Sequence, residues 1–444
     1  MRKEENLSQR RDLFSREYKS FLSQCKTERE CIKFFSAQLE QHGFKRLNDF
    51  IACNTPLKEG DKVYAVNMNK ALVAFKIGSA PMQEGLNIIA AHIDSPRLDL
   101  KSKPVYSDGG FCIFDTHYYG GIKKYQWTAT PLALHGLVCK KDGTKIDWVV
   151  GESEKDPLFV VTDLLPHLDD KKPPAMTGEQ LNLIVSKKEK DESPKETIDD
   201  LLCDFGFQSE DLMSAEIEAV PAGKARDFGL DRSMIIGYGH DDRSCAYPSI
   251  QAIISAGSLE RTAAVLLVDK EEIGSTGATG MKSKFFENMV AEVMNLAGEY
   301  KELHFKRALN KSNVISCDVT AAYDPNWPEP SNKNTEAYLS RGVAFCKFTG
   351  AGGKDGSNDA NPEYIARLRK LLDDGGVTYQ FTEMGKVDKG GGGTIAKFLA
   401  EYGMEVIDAG LAVLSMHAPW EVVSKFDLYE SFRCYKLFLE NMKK

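Results

Sequence analysis

His92 in AAHIDSPRLDL, Asp241 in GYGHDDRSCAY, Glu271 and Glu272 in LLVDKEEIGSTGA, Asp318 in VISCDVTAAYD and His417 in VLSMHAPWE stand at the ends of apolar runs. Imidazole nitrogen and carboxylate oxygen are donors that zinc, cobalt and manganese all accept. Two such ions held roughly 3.5–4 Å apart need a bridging carboxylate to reduce their repulsion. Five of these side chains could supply one bridge and two terminal ligands per ion. The sixth, Glu271, would stay off the metals and accept a proton from an attacking water. Glu271 and Glu272 can divide these tasks, because neighbours in an extended segment point to different sides. The inventory is that of a two-metal hydrolase.

Each piece alone has an ordinary reading. The His92-x-Asp94 pair could be a surface turn, and Asp241–Asp242 a helix cap. Glu271–Glu272 could be a charged loop, Asp318 a turn residue and His417 a satisfied histidine. Their joint occurrence at strand ends favours the metal reading, since ligands of an open α/β sheet gather at the carboxyl ends of its strands.

The elements that must position these residues follow from periodicity. KTERECIKFFSAQLEQHGF carries apolar residues at helical spacing and ends in Gly43. Strands follow at KVYAVNMN, KALVAFKIG and LNIIAAHID, the last apolar enough for burial on both faces. From about Pro104 to Asp231 the texture is β-rich. WTATPLALHGLVCKKDG and KIDWVVG read as strands around an Asp-Gly turn, and KKEKDESPKE as a solvated loop. After Asp241, helix and strand alternate through CAYPSIQAIISAG, RTAAVLLVDK, SKFFENMVAEVMNLA, SNVISCDVT, PEYIARLRKLLDDGG and VTYQFTEM. GGTIAKFLAEYG (helix), VIDAGLAVLSMHA (strand) and a closing helix complete the series. Such alternation implies an α/β layered domain on a largely parallel sheet. The expected organisation is a catalytic domain of residues 1–103 and 232–444, with a second β-rich domain, 104–231, inserted into it.

A chain of 444 residues suits two domains. The formal charge of −8 gives no reason to expect nucleic acid or an anionic membrane as partner. No apolar run is long enough for a bilayer, and the charged start MRKEENLSQRRDLFSREY lacks the apolar segment of a signal peptide. Ten cysteines without a CxxC pair read as reduced thiols of a cytoplasmic protein.

At these motifs the chain resembles the M18 metallo-aminopeptidases, the aspartyl aminopeptidase family, and within it the bacterial aminopeptidase 1 branch. The stretches that carry the resemblance are AAHIDSPRLDLK, YYGGIKKYQW, GYGHDDRSCAY, DKEEIGSTGATG, SCDVTAAYDPNW, TGAGGKDGSNDA, DKGGGGTIA and SMHAPWE. The resemblance implies a layered α/β/α zinc-peptidase domain with an inserted oligomerisation domain. It implies His92 and Asp318 on one metal, Glu272 and His417 on the other, Asp241 as bridge and Glu271 as general base. Asp94 would orient the His92 imidazole. The family's Pro-His-Leu motif matches Pro166, His167 and Leu168, which implies that His167 reaches a neighbouring subunit's site. The implied assembly is a homo-oligomer, typically a tetrahedral dodecamer, acting on peptides with a free N-terminus. The implied cofactors are two divalent ions per subunit, zinc first, with cobalt or manganese as alternatives. The chain departs from the acid-specific members, whose lysine-containing NSKQRYASN-like segment is replaced by TGAGGKDGSND. Lys354 does not align with that lysine, so a neutral or broad preference is at least as well supported as an acidic one.

Two other classes compete. The glycine-rich GKVDKGGGGTIA leads into a helix and could cradle phosphate, but it lacks the Walker spacing and the GxGxxG order. A non-catalytic assembly or cargo protein on a peptidase scaffold would be expected to have lost Glu271 or Asp241, and both are present.

Overall fold

The computed structural model describes residues 2–168, 176–189 and 191–443. They form two compact units. The first comprises Met1–Asp94, Ala225–Met416 and Glu421–Lys444, and the second Ser95–Lys224 with His417–Trp420.

The first unit is a layered α/β structure. Its main sheet runs in the spatial order Lys45–Arg46, Lys62–Asn67, Ala71–Lys76, Ala263–Val268, Asn87–His92, Asn313–Ser316, Glu405–Gly410, Val343–Cys346, Tyr379–Thr382. The strand Asn87–His92 lies between parallel neighbours, Ala263–Val268 and Asn313–Ser316. Its continuous apolar character has a direct cause. Ile89 and Ala91 enter one core, packed with the N-terminal helices, His240–Ser255 and Lys425–Asn441, while Ile88 and Ala90 enter a second core with Phe285–Leu296 and Glu302–Asn310. A strand buried on both faces has no polar side to alternate with. Helices on both faces of this sheet make three layers.

The N-terminal helices follow their local signals. Thr27 and Glu30 form a reciprocal capping box that starts Glu28–Gln41, and Gly43 follows with a φ of +83°. Between them, Lys26 separates this helix from Arg2–Gln24. A smaller sheet of the same unit orders Arg226–Phe228, Met234–Gly237, Glu421–Ser424, Ala412–Leu414, Thr320–Ala321.

The second unit is built on an antiparallel sheet, Lys145–Val150, Leu132–Cys139, Ala215–Pro221, Arg97–Asp108, Phe111–Tyr119, Leu183–Lys187. The Asp142-Gly143 turn joins Leu132–Cys139 to Lys145–Val150, and Gly143 takes a φ of +89°. This is the inserted β-rich domain.

Four details differ from the sequence reading. The main sheet is mixed, since Ala71–Lys76 pairs antiparallel on both sides and Val343–Cys346 antiparallel to Glu405–Gly410. The run VIDAGLAVLSMHA is two strands, Glu405–Gly410 in the main sheet and Ala412–Leu414 in the smaller one. The last three residues of KKEKDESPKE depart from the expected loop: Ser193 and Glu196 form a capping box and Pro194 opens the helix Pro194–Cys203. ELHFKRALN is a helix, Glu302–Asn310, that the sequence reading passed over.

The closing helix Lys425–Asn441 also anchors a turn of the main sheet. Asp427 accepts the backbone N–H groups of Ser340 and Gly342, each at 2.7 Å. Burial pushes its carboxyl up to about 7 against the pull of those two donors. Asp427→Ala should leave both N–H groups without their acceptor, at about 1–3 kcal/mol each. Calorimetry should show a clearly lower melting temperature with the fold otherwise retained.

Candidate metal centre

Strand pairing brings the first ligands together. His92 ends Asn87–His92 and lies in register with Val268, so the chain leaving Val268 passes beside it. That chain turns through the short helix Glu271–Ile273. On the other side, Asn313–Ser316 pairs parallel with the same strand and leads to Asp318. Asp241 arrives from the smaller sheet, after Met234–Gly237 and a left-handed Gly239 with a φ of +77°. Asp241 and Asp242 are joined by a cis peptide. Neither has helical φ and ψ, so the regular helix begins after them and both side chains stay at its mouth.

These segments form overlapping clusters. His92, Asp241 and Glu272 each offer a donor atom within 4.8 Å of the others, as do His92, Glu271 and Asp318, and Asp241, Asp242 and Asp318. His92 Nε2 lies 3.2 Å from Asp241 Oδ1 and 3.9 Å from Asp318 Oδ1. Its Nδ1 faces Asp94, 3.1 Å from the carbonyl oxygen and 3.2 Å from Oδ1. Asp94 does more than orient the imidazole. Its two carboxylate oxygens accept the backbone N–H groups of Glu271 and Glu272, each at 3.2 Å. One buried carboxylate therefore ties the His92 ring to the turn that carries both glutamates.

The electrostatics call for positive charge. Burial works against an imidazolium at His92, yet hydrogen bonds to Asp241 and Asp94 raise its pKa well above the ordinary value. Burial, followed by the nearby Glu271, pushes the Asp318 carboxyl well up, and burial does the same at Asp242. A buried group of carboxylates that cannot all ionise alone is a site for cations. Asp242 Oδ1 is buried without a hydrogen-bond partner, which is consistent with a polar pocket built for more than protein atoms. The donors are imidazole and carboxylate, so the residues fit a zinc-type divalent ion.

His417 and His167 both lie outside these clusters. His417 groups with the second unit, where its Nδ1 donates to the Gly121 carbonyl at 2.8 Å. That tautomer puts the ring's lone pair on Nε2. His167 is an exposed residue of the turn at Pro166–Leu168 in the second unit.

The sequence reading missed three contributors. Asp242, read only as a helix cap, accepts the His92 backbone N–H at 3.4 Å. Buried Glu421 accepts the Asp241 N–H at 3.1 Å. Tyr18 meets His240 Nδ1 at 2.8 Å, next to Asp241. The doubled Asp in GHDDR was a visible signal for the first; nothing in the sequence links Glu421 or Tyr18 to Asp241.

Residues 21–439 match the family profile described as "Aminopeptidase I zinc metalloprotease (M18)". A Clostridium acetobutylicum protein named "Probable M18 family aminopeptidase 1" is 51% identical over 435 residues, covering 96% of this chain and 94% of that protein. The crystal structure of an M18 family aminopeptidase from Thermotoga maritima superposes with a TM-score of 0.92 at 43% identity, covering 98% of this chain and 97% of that one. An S. cerevisiae mApe1 dodecamer shares the fold, with a TM-score of 0.78 at 21% identity, covering 97% of each chain. Match and geometry agree, and the chain belongs to the M18 metallo-aminopeptidases, near their bacterial aminopeptidase 1 members, as a metal-dependent aminopeptidase.

Proposed function

We propose that the chain releases N-terminal residues from peptides at a two-metal centre whose general base is Glu271. The observation that supports this most directly is the meeting of buried His92 and Asp241 with half-buried Glu272, Glu271 and Asp318 in overlapping clusters. In this reading His92 and Asp318 would hold one ion, Glu272 and His417 the other, and Asp241 would serve both. Zinc is the proposed metal, from the donor set and the family description; cobalt and manganese suit the same donors. When bound, the ions acidify a water and polarise the scissile carbonyl. Glu271 takes the water's proton and returns it to the leaving amine. Asp94 holds the Glu271 backbone and the His92 ring in place for that step.

The second unit, residues 104–231 in the sequence reading, is proposed as the oligomerisation domain. Leu164, Leu165 and Leu168 are all exposed around His167, an apolar surface suited to a neighbouring subunit. The proposed assembly is a homo-oligomer, dodecameric as in the S. cerevisiae mApe1 structure. His167 would then donate a hydrogen bond to the oxyanion in a neighbour's site. The proposed location is the cytoplasm, where the free cysteines would stay reduced. Among the described residues no helix is long and apolar enough to cross a membrane, and neither membrane nor nucleic acid is proposed as a partner.

Elemental analysis of the purified protein should find two divalent ions per chain. Glu271→Gln should keep both ions and the fold but lose at least about 10²–10⁴-fold in turnover. Glu272→Gln should instead lower metal occupancy. Reversed phenotypes would overturn the division of roles. A panel of aminoacyl chromogenic substrates would resolve acidic from neutral or broad preference.

His167→Ala should lower kcat by roughly 10²–10³-fold at unchanged metal content. Mixing it with Glu271→Gln under subunit exchange should restore part of the activity, because some sites would then pair an intact Glu271 with an intact His167. Absence of any complementation, with exchange verified, would remove His167 from the site.

A further inference from the structure

We propose that Arg243 is a positioning residue of the metal centre, its buried guanidinium acting with Asp242 to clamp the backbone of His92 and Ile93 against the Asp241 turn. The inference rests on the two-metal reading above.

Asp241 is followed by two residues that grip the same stretch of the main sheet. Asp242 Oδ2 accepts the His92 N–H at 3.4 Å. Arg243 Nε donates to the Ile93 carbonyl at 3.3 Å. One strand end is therefore held through both a donor and an acceptor, by consecutive side chains next to the proposed bridge. The His92–Ile93 stretch is also fixed sideways, since the Ile93 N–H donates to the Val268 carbonyl at 3.0 Å. The clamp decides how far the His92 ring stands from the Asp241 carboxylate, which is 3.2 Å away.

Arg243 has its own support. Its Nη2 donates to the Lys26 carbonyl at 2.8 Å. Lys26 sits between the two N-terminal helices, and its N–H is held by the Glu30 carboxylate at 2.7 Å. The guanidinium carbon lies 5.3 Å from the centre of the Tyr238 ring. From the same pair of helices, Tyr18 meets His240, the residue before Asp241. The N-terminal helices thus reach both sides of the Asp241–Asp242 pair.

The choice of residue has a physical logic. Arg243 is only 1% exposed. Removing a guanidinium from water costs several kcal/mol unless its donors are met. Its planar fork sets two donors at a fixed angle, so it spans the Lys26 and Ile93 carbonyls as a rigid spacer. Lysine carries the same charge on one flexible nitrogen and cannot reproduce that spacing.

The test is zinc binding by the metal-free full-length protein, measured with a competing chelator, for wild type, Arg243→Gln and Arg243→Lys. Melting temperature of the metal-free form and kcat at saturating zinc are recorded alongside. Arg243→Gln should weaken zinc affinity about 10–100-fold, with kcat at saturating zinc falling less than the affinity. Arg243→Lys should weaken it as well, because the fork and not the charge sets the geometry. If Arg243→Gln does not fold, Arg243→Lys alone carries the same reading. Variants that melt lower yet bind zinc as wild type does would overturn the clamp and leave an ordinary core arginine. Full affinity in Arg243→Lys would also overturn it. Wild type that binds no zinc would instead overturn the two-metal reading, and the clamp with it.

Discussion

The crowding of carboxylates around one buried imidazole is the constraint on which the first unit depends. Asp94, Asp241 and Asp242 are buried with His92, and Asp318 and Glu271 share a cluster with the same ring. Like charges at such spacing repel in a medium that screens them poorly. An unsupported set would separate, or take up protons and lose its value as a ligand field. What keeps it together is backbone: parallel pairing on both sides of Asn87–His92 and hydrogen bonds from N–H groups to Asp94, Asp242 and Glu421. Neutral donors partly compensate the negative charge without competing for the cation that the site requires.

The ligand layer belongs to more than one sheet, and this shapes the fold around it. His92, the glutamate pair and Asp318 follow strands of the main sheet, whereas Asp241 follows a strand of the smaller one. The chain passes from one sheet to the other between Gly410 and Ala412. A Cβ on Gly410 would stand 2.0 Å from the Asp318 carbonyl oxygen. The crossover and the ligand therefore occupy the same place, and only glycine lets the backbones approach that closely.

Much of this was legible in the sequence, and the reasons are specific. Apolar runs ending in His92 and before Glu271 announced strands, because burial on both faces leaves no alternation to misread. The capping residues Thr27 and Glu30 and the Asp142-Gly143 turn are local signals that the fold obeys. Tertiary choices were not legible. VIDAGLAVLSMHA is mostly apolar on both sides of Leu411, and Gly410 by itself does not announce a change of sheet there. The glycine-rich run that suggested a phosphate cradle instead packs against its neighbour: a Cβ on Gly391 would lie 1.9 Å from the Gly350 carbonyl oxygen. Close backbone approach and phosphate binding ask for the same residue, and sequence alone does not separate them.

The least legible part is the support beneath the ligands, and its physics explains why. Ligand residues are chosen for the chemistry of their side chains, so their types can be read. Supporting groups are chosen for where a donor or acceptor falls, and many are backbone. The Lys26 carbonyl, the Ile93 carbonyl and the N–H groups of Glu271 and Glu272 would serve equally well in residues of other types. Only the side chains that meet them leave a trace: an acid two residues past His92, a doubled acid at 241–242 and the arginine that follows. Each looks unremarkable alone, as a turn, a cap or a surface charge. Their meaning appears when burial is known, because a charged side chain that is fully enclosed must be holding something in place to offset its desolvation.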